Sequence, residues 1–329
     1  MANAWVDRIL ENHKDARFVA LVDLIPESAE KYNEKYKLGC PVFANLEEAI
    51  TKTKPDIVLD ITIPGAHESV ASTAMKNGCD VFSEKPMSDN YEACKRLVAL
   101  SDSTGKSYTI MQNRRYERGI RAYRGLVSSG TVGKLGYLGA DFFIGAHFGG
   151  FRAVMDNPLV LDMAIHTFDQ ARFISGADPV SVYCHEFNPP GSWYKGNASA
   201  VAIYEMTGGL VFCYRGSWCA EGANTSWECA WRAQGEKGTA IWDGAKDVYA
   251  EVVDNEKQQE FIGPMRRVEP SYDWEGRLGH AGCIDDMFAA YESRTAAMTD
   301  CRDNINSMRM VFGAIESAKA GRKLYMNEL

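Results

Sequence analysis

The 329-residue sequence has no C-x-x-C pair, no extended basic run, no apolar stretch of membrane-spanning length and no G-x-G-x-x-G turn ahead of Asp23. Each absence narrows what the chain does. Its nine cysteines are odd in number and scattered from Cys40 to Cys301, which suits reduced, mostly buried thiols rather than a disulfide framework or a zinc site, so no metal is expected. A formal net charge of −8 without RNA-binding aromatic motifs argues against nucleic acid and against an anionic membrane surface. The N-terminus lacks the basic and apolar regions of a secretory signal, which points to the cytoplasm. What is present, 46% hydrophobic and 24% charged residues over this length, is enough for two domains with real cores and a small-molecule partner.

The first 113 residues alternate short apolar runs with helical patterns. Strands are predicted at Arg17–Asp23, Pro41–Ala44, Asp56–Ile63, Cys79–Ser83 and Ser107–Gln112. Helices are predicted at Pro26 to about Tyr36, Leu46–Lys52, about Ala66–Asn77 with Gly78 as terminator, and about Asp89–Ser103. That alternation is the signature of a doubly wound parallel sheet of the dinucleotide-binding type. Asp23, closing the earliest strand, is placed to accept hydrogen bonds from an adenosine ribose, which favours NAD over NADP; an aspartate after a strand is equally an ordinary turn residue. The glycine-rich turn expected before it is missing, and Met1–Leu10 reads instead as a helix with Val6, Ile9 and Leu10 on one side. The expectation is therefore a chain that starts about a dozen residues late, without its first strand and phosphate loop, the part that supplies amides to a pyrophosphate.

Two motifs carry chemistry. Asp80-Val81-Phe82-Ser83-Glu84-Lys85-Pro86 is an apolar strand running into a charged pair stopped by proline. Parallel sheets bind ligands at the carboxyl ends of their strands, so Lys85 is placed to aim a positive charge at a ligand oxygen; a solvated strand-end lysine is the plainer alternative. In Leu161–Phe173, Asp162, His166 and Asp169 fall at i, i+4 and i+7 of a helical pattern. An imidazole there can remove a hydroxyl proton while a carboxylate one turn away orients it, and the plainer alternative is an N-cap aspartate with a structural histidine.

Together, the Glu84-Lys85-Pro86 strand end and the later Asp162-x-x-x-His166 resemble the Gfo/Idh/MocA family of NAD(P)-dependent sugar and polyol oxidoreductases. Ile61-Thr62-Ile63-Pro64-Gly65-Ala66-His67 is similar to the family's strand-to-helix turn beside the cofactor, and Met111-Gln112-Asn113-Arg114-Arg115-Tyr116 to its exit from the nucleotide domain. Gly130–Gly136 is similar to the lead into the second domain and Gly313–Arg322 to the closing helix. The chain departs from the family at Asp156-Asn157-Pro158-Leu159-Val160, where a glycine run is common, and at Ala164, where glycine is frequent. The resemblance implies hydride transfer from a secondary alcohol to NAD, with NADP the alternative. His166 takes the proton, Asp162 orients the ring and Lys85 polarises the oxygen, with passage of the proton through Lys85 the alternative, while Asp23, Thr62, Pro64, His67, Glu84, Lys85 and Asn113 line the cofactor. Arg115, His147 and Arg152 join Asp162 and His166 as substrate-binding candidates, since a polyhydroxylated substrate needs several directed donors and acceptors.

Beyond residue 113 the pattern changes to that of an α+β domain, residues 114–329. Helices are predicted at Arg118–Ser128 and Leu159–Ser175, and strands at Val180–Phe187, Ser199–Met206, Leu210–Trp218, Trp227–Gln234, Thr239–Trp242 and Val248–Val253. Thr207-Gly208-Gly209 reads as a hairpin turn. These runs favour an open, mostly antiparallel sheet. The resemblance implies a homodimer or homotetramer formed through its exposed face, and a C-terminal helix that packs back toward the first domain. Two other functions fit the same residues: a redox-cycling glycoside-cleaving enzyme of this fold, and a ligand-sensing or scaffold protein without cofactor turnover.

Overall fold

The computed structural model describes residues 2–258 and 261–329; Met1, included in the predicted N-terminal helix, lies outside the described residues. The chain divides into two compact units, residues 1–113 with 280–305 and residues 114–279 with 306–329.

The first unit begins with helix α1 (Ala2–Asn12), which buries Trp5, Val6 and Ile9 along one side. Strand β1 (Leu21–Val22) pairs in parallel with β2 (Val42–Phe43), flanked by α2 (Pro26–Tyr36) and α3 (Leu46–Thr53). A second parallel sheet holds β3 (Ile57–Asp60), β4 (Asp80–Ser83) and β5 (Tyr108–Ile110), in that order. Among the described residues no ladder joins the two sheets. The strand predicted at Arg17–Asp23 shortens to Leu21–Val22, because only those residues pair with a neighbouring strand. In the three-stranded sheet Asp60 lies opposite Ser83 and Ser83 opposite Ile110. The strands therefore end level, and the loops that follow leave from one edge.

Helices α4 (His67–Lys76) and α5 (Tyr91–Thr104) connect these strands, as parallel pairing requires. Their ends are chemically marked. Asn45 caps α3 by accepting from the Glu48 N–H (2.9 Å), Asn90 caps α5 by accepting from the Ala93 N–H (3.1 Å), and Gly105 closes α5 at φ 66°. Helix α9 (Gly279–Ser293) and the segment after it return to β5, where Ile110 N–H donates to the Thr299 carbonyl at 3.1 Å.

In the second unit α6 (Arg118–Ser128) leads to β6 (Leu135–Phe143), the middle strand of a nine-stranded sheet. The other members are β7 (Pro179–Phe187), β8 (Ser199–Met206), β9 (Val211–Ser217), β10 (Ala230–Gly235), β11 (Gly238–Trp242), β12 (Val248–Val253), β13 (Met265–Val268) and β14 (Leu324–Tyr325). The order is β13-β12-β11-β10-β6-β9-β8-β7-β14, and every pair is antiparallel except β6 with β9. The open, mostly antiparallel sheet inferred from the residues is thus present, together with a parallel pair that the sequence did not reveal.

The predicted helix Leu159–Ser175 is two structures: a π-helical turn, Pro158–Met163, running into α8 (Ala164–Ser175). One face of the sheet packs on α8, where Phe168 meets Tyr204, Tyr214 and Phe212 at 5.2–6.3 Å edge-on. Tyr204 also donates its hydroxyl to Met310 O (2.8 Å) in helix α10 (Cys301–Ala320). The opposite face leaves Tyr183, Phe187, Val201 and Ile203 exposed, with Tyr183 and Ile203 directly paired across β7 and β8. Trp218, Trp231 and Trp242 are buried, whereas Trp227 is exposed. No helix among the described residues is long and apolar enough to cross a membrane, and no disulfide joins the nine cysteines.

Candidate functional site

In the first unit the candidate residues gather on loops leaving the carboxyl ends of the parallel strands. Buried Asp60 closes β3 and accepts from Thr62 N–H (3.2 Å) and Thr62 Oγ1 (2.6 Å), which folds the chain into the turn containing Pro64. Burial pushes the Asp60 carboxyl above its usual range, opposed by the nearby His67 and by these hydrogen bonds. His67 is fully buried. Its Nδ1 bonds the Pro86 carbonyl at 2.7 Å and its Nε2 lies 3.3 Å from the Thr62 carbonyl, so the ring ties the loop after β3 to the loop after β4. It therefore positions those loops and presents no surface to a ligand.

On the neighbouring loop, Glu84 is buried and its Oε1 accepts the Trp5 indole N–H at 2.7 Å, while Oε2 accepts the Lys85 N–H at 3.3 Å. Lys85 follows as a half-buried side chain, and its peptide bond to Pro86 is cis. The next loop carries Asn113, whose Nδ2 donates to His280 Nδ1 at 3.4 Å. Burial lowers the affinity of His280 for a proton, and Glu84 opposes that shift. His280 stands in the first turn of α9, 167 positions from Asn113, and no local motif marked it. Asp23 is exposed after β1 and one of its oxygens accepts the Ile25 N–H (2.8 Å), an Asx turn leading into α2. The second oxygen has no protein partner among the described residues.

These loops fit the ribose ends of a dinucleotide. Asp23 offers an exposed acceptor, and Thr62, Pro64, Glu84, Lys85 and Asn113 stand on strand-end loops, the position where parallel sheets hold ligands. No glycine-rich turn follows a strand in this unit among the described residues.

In the second unit the π-turn carries Asp162 and α8 carries His166, both buried. Arg152, on the short helix α7 (Phe151–Val154), donates Nε–H to Asp162 Oδ2 at 2.5 Å. The structure thus brings together two of the substrate-binding candidates. Asp169, the third member of the spacing, is engaged elsewhere. Arg115 grips it in bidentate fashion (Nε 2.7 Å, Nη2 2.6 Å) and Ser307 Oγ adds a third bond at 2.7 Å, all buried. Arg115 is therefore committed to a buried structural ion pair, not displayed to a substrate. His147 bonds Glu221 (2.6 Å) and stacks on Trp193, with ring centroids 3.6 Å apart.

Phe148 extends this aromatic group to Trp218 (5.1 Å) and Trp227 (6.4 Å). Deeper in the unit, half-buried Glu228 receives Gln170 Nε2 (2.7 Å) and faces Arg114 (3.3 Å); desolvation still pushes its carboxyl up. Glu228 did not follow from spacing, because its partners come from separate elements.

Residues 2–112 match the family model described as oxidoreductase family, NAD-binding Rossmann fold, and residues 120–241 match the GFO/IDH/MocA C-terminal domain. An uncharacterized protein of Sinorhizobium fredii is 25% identical over 98% of this chain and 92% of its own length. An inositol 2-dehydrogenase of Ralstonia nicotianae is 28% identical over 180 residues, 54% of this chain and 52% of that enzyme, so this match spans about half of each. Among solved structures, an oxidoreductase from Agrobacterium radiobacter in complex with NAD+, L-tartaric acid and magnesium superposes with a TM-score of 0.83 at 20% identity, covering 99% of this chain and 94% of that one. An aldose-aldose oxidoreductase from Caulobacter crescentus complexed with glycerol gives 0.77 at 19% identity, covering 94% and 91%. At these identities the structural matches speak to the fold.

Proposed function

Because this chain belongs to the Gfo/Idh/MocA family of oxidoreductases with an NAD-binding Rossmann fold, we propose that it is an NAD(P)-dependent dehydrogenase acting on a secondary alcohol of a sugar, sugar derivative or cyclitol. The observation that carries this reading is the fixing of the Glu84-Lys85-Pro86 loop by Trp5 and His67. Two buried hydrogen bonds from separate elements hold a lysine at a strand's carboxyl end, which a merely solvated lysine does not require. Inositol 2-dehydrogenases among the relatives favour a polyhydroxylated substrate.

When bound, a nicotinamide cofactor supplies the acceptor for a hydride. In this reading Asp23 binds the adenosine ribose, Thr62 and Pro64 border the cofactor, and Glu84, Lys85 and Asn113 hold its nicotinamide end. Lys85 polarises the substrate oxygen, His166 removes the hydroxyl proton at a ring nitrogen, and Asp162 holds that ring in position. Arg152 and His147 belong to substrate binding, and the exposed face of β7 and β8 associates with a second copy of the chain.

The test is NADH absorbance with a panel of hexoses, hexose acids and inositols, on the wild type and on His166→Ala. The expected result is substrate-dependent NADH formation that falls by about 10²–10⁴-fold in the variant, while NADH binding stays within about twofold. Release of a glycone without net NADH would replace this reading with the redox-cycling one, and sugar binding without turnover would replace it with a sensor.

A further inference from the structure

Arg152 is held in a way that leaves half of its guanidinium unused. Its Nε–H is spent on Asp162, and the plane lies over two aromatic rings, 4.6 Å from the Phe151 centroid and 5.3 Å from that of Phe148. Among the described residues its two Nη groups have no acceptor, although the side chain is still 27% exposed and therefore within reach of a ligand. Guanidinium Nη groups are donors only. A sugar hydroxyl both donates and accepts, and satisfies them partly; a carboxylate, an acceptor only, matches the planar pair of N–H groups in two parallel bonds.

The segment bearing Arg152 is also fastened down. Lys195 N–H donates to Ala153 O (2.9 Å), Asn197 N–H donates to Asp156 O (2.8 Å), and Asn157 Nδ2 donates to Glu186 Oε2 (2.9 Å). Between the first two, Gly196 passes so close that a Cβ would stand 2.1 Å from the Asp156 carbonyl oxygen. Guanidinium orientation is thus set before any ligand arrives, which lowers the entropic cost of using it. Beside it, Phe148 and Trp227 are 38% and 44% exposed and offer faces for the C–H surface of a sugar ring.

We propose that Arg152 receives a carboxylate of the substrate through its Nη edge, and that the substrate is a sugar acid, an aldonate or uronate. This rests on the dehydrogenase reading for the chemistry but not for the binding. Asp162 keeps its bond to Nε, so one guanidinium serves two carboxylates, one from the chain and one from the ligand.

The experiment is calorimetric titration of the purified chain, with NADH present, by D-galacturonate and D-gluconate and by the neutral D-galactose and myo-inositol. Wild type binds at least one acid about tenfold or more tighter than the neutral compounds, the range for a hydrogen-bonded charge pair. In Arg152→Gln the preference falls below about threefold. Should Gln leave Asp162 without its ion pair and prevent folding, Arg152→Lys, which keeps the charge and loses the planar fork, is expected to lose most of the preference while retaining the wild-type circular dichroism spectrum.

Equal or tighter binding of the neutral compounds, failure of both acids to bind, or a preference that survives in both variants overturns the proposal. Turnover of neutral polyols without acid binding sinks this inference and spares the dehydrogenase reading. Acid binding with no NADH formed from any sugar does the reverse.

Discussion

Trp5 and Glu84 lie 79 positions apart in the chain, and the indole N–H of one donates to the carboxylate of the other at 2.7 Å in the protein interior. The helix that contributes Trp5 thereby sets the loop that carries Lys85. Replacing Trp5 with Phe keeps most of the apolar volume and removes the donor. The expected loss is about 1–3 kcal/mol of stability, the cost of leaving a buried acceptor short of a partner, measured by urea unfolding. NADH affinity is expected to fall with it, and an unaltered unfolding midpoint would show that Glu84 finds another donor.

Asp169 is held by three buried hydrogen bonds, two from Arg115 and one from Ser307. Arg115→Met leaves a buried carboxylate with a single donor and is expected to cost about 3–5 kcal/mol. The double variant Arg115→Met with Asp169→Leu removes both charges and is expected to recover most of that loss. A double variant as unstable as the single one would mean that packing, not charge, governs this site.

Glu186 is buried on β7, with Oε2 taking Asn157 and Oε1 taking no hydrogen bond. Burial pushes its carboxyl up to about 7, against the opposing effects of Asn157 and Lys319. The folded form therefore holds its proton at pH values where the unfolded chain has released it. Its contribution to stability is complete below the ordinary glutamate range and is lost as pH rises to about 7. Glu186→Gln is expected to cancel that loss, gaining on the wild type between about pH 5 and 8 by at most about 3 kcal/mol, as read from thermal unfolding at several pH values.

The outward face of β7 and β8 presents Tyr183, Phe187, Val201 and Ile203 to solvent. If a second copy covers it, Ile203→Lys places a charge in the centre of that contact and is expected to shift the sedimentation coefficient to that of a monomer without lowering the stability by more than about 0.5 kcal/mol. A wild type that already sediments as a monomer would count against self-association through this face.

Much of the framework was legible from periodicity. Helices Pro26–Tyr36 and Arg118–Ser128 and strands Ser199–Met206 and Val248–Val253 have the bounds that their residues suggested. Strand β6 was missed although it is the centre of the large sheet, because Gly136 and Gly139 blunt its alternation. The reason for one of these glycines is visible only in three dimensions: the Tyr137 ring lies across Gly139, where a Cβ would come within 2.6 Å of the hydroxyl oxygen.

At the candidate site, Lys85, Asp162 and His166 could be named from local pattern. His280 could not, because what distinguishes it is a neighbour 167 positions away. The spacing of Asp162, His166 and Asp169 assumed an unbroken helix of 3.6 residues per turn. It gave no sign that Asp169 belongs to Arg115, since a side chain's partner depends on which elements the fold brings beside it.

The wider winding between Pro158 and Met163 has a consequence for how this chain tolerates change in length. A π-turn absorbs one more residue than an α-turn does, so deleting a single residue there would tighten the coil without breaking it. Deletion of Met163, the residue between Asp162 and α8, would swing Asp162 by about 100° around the axis relative to α8, one residue's worth of rotation. Arg152 would lose the anchor for its Nε while every strand of the large sheet stayed in register. On the role proposed for Arg152, substrate preference is therefore expected to change on shortening one coil, with the scaffold left alone.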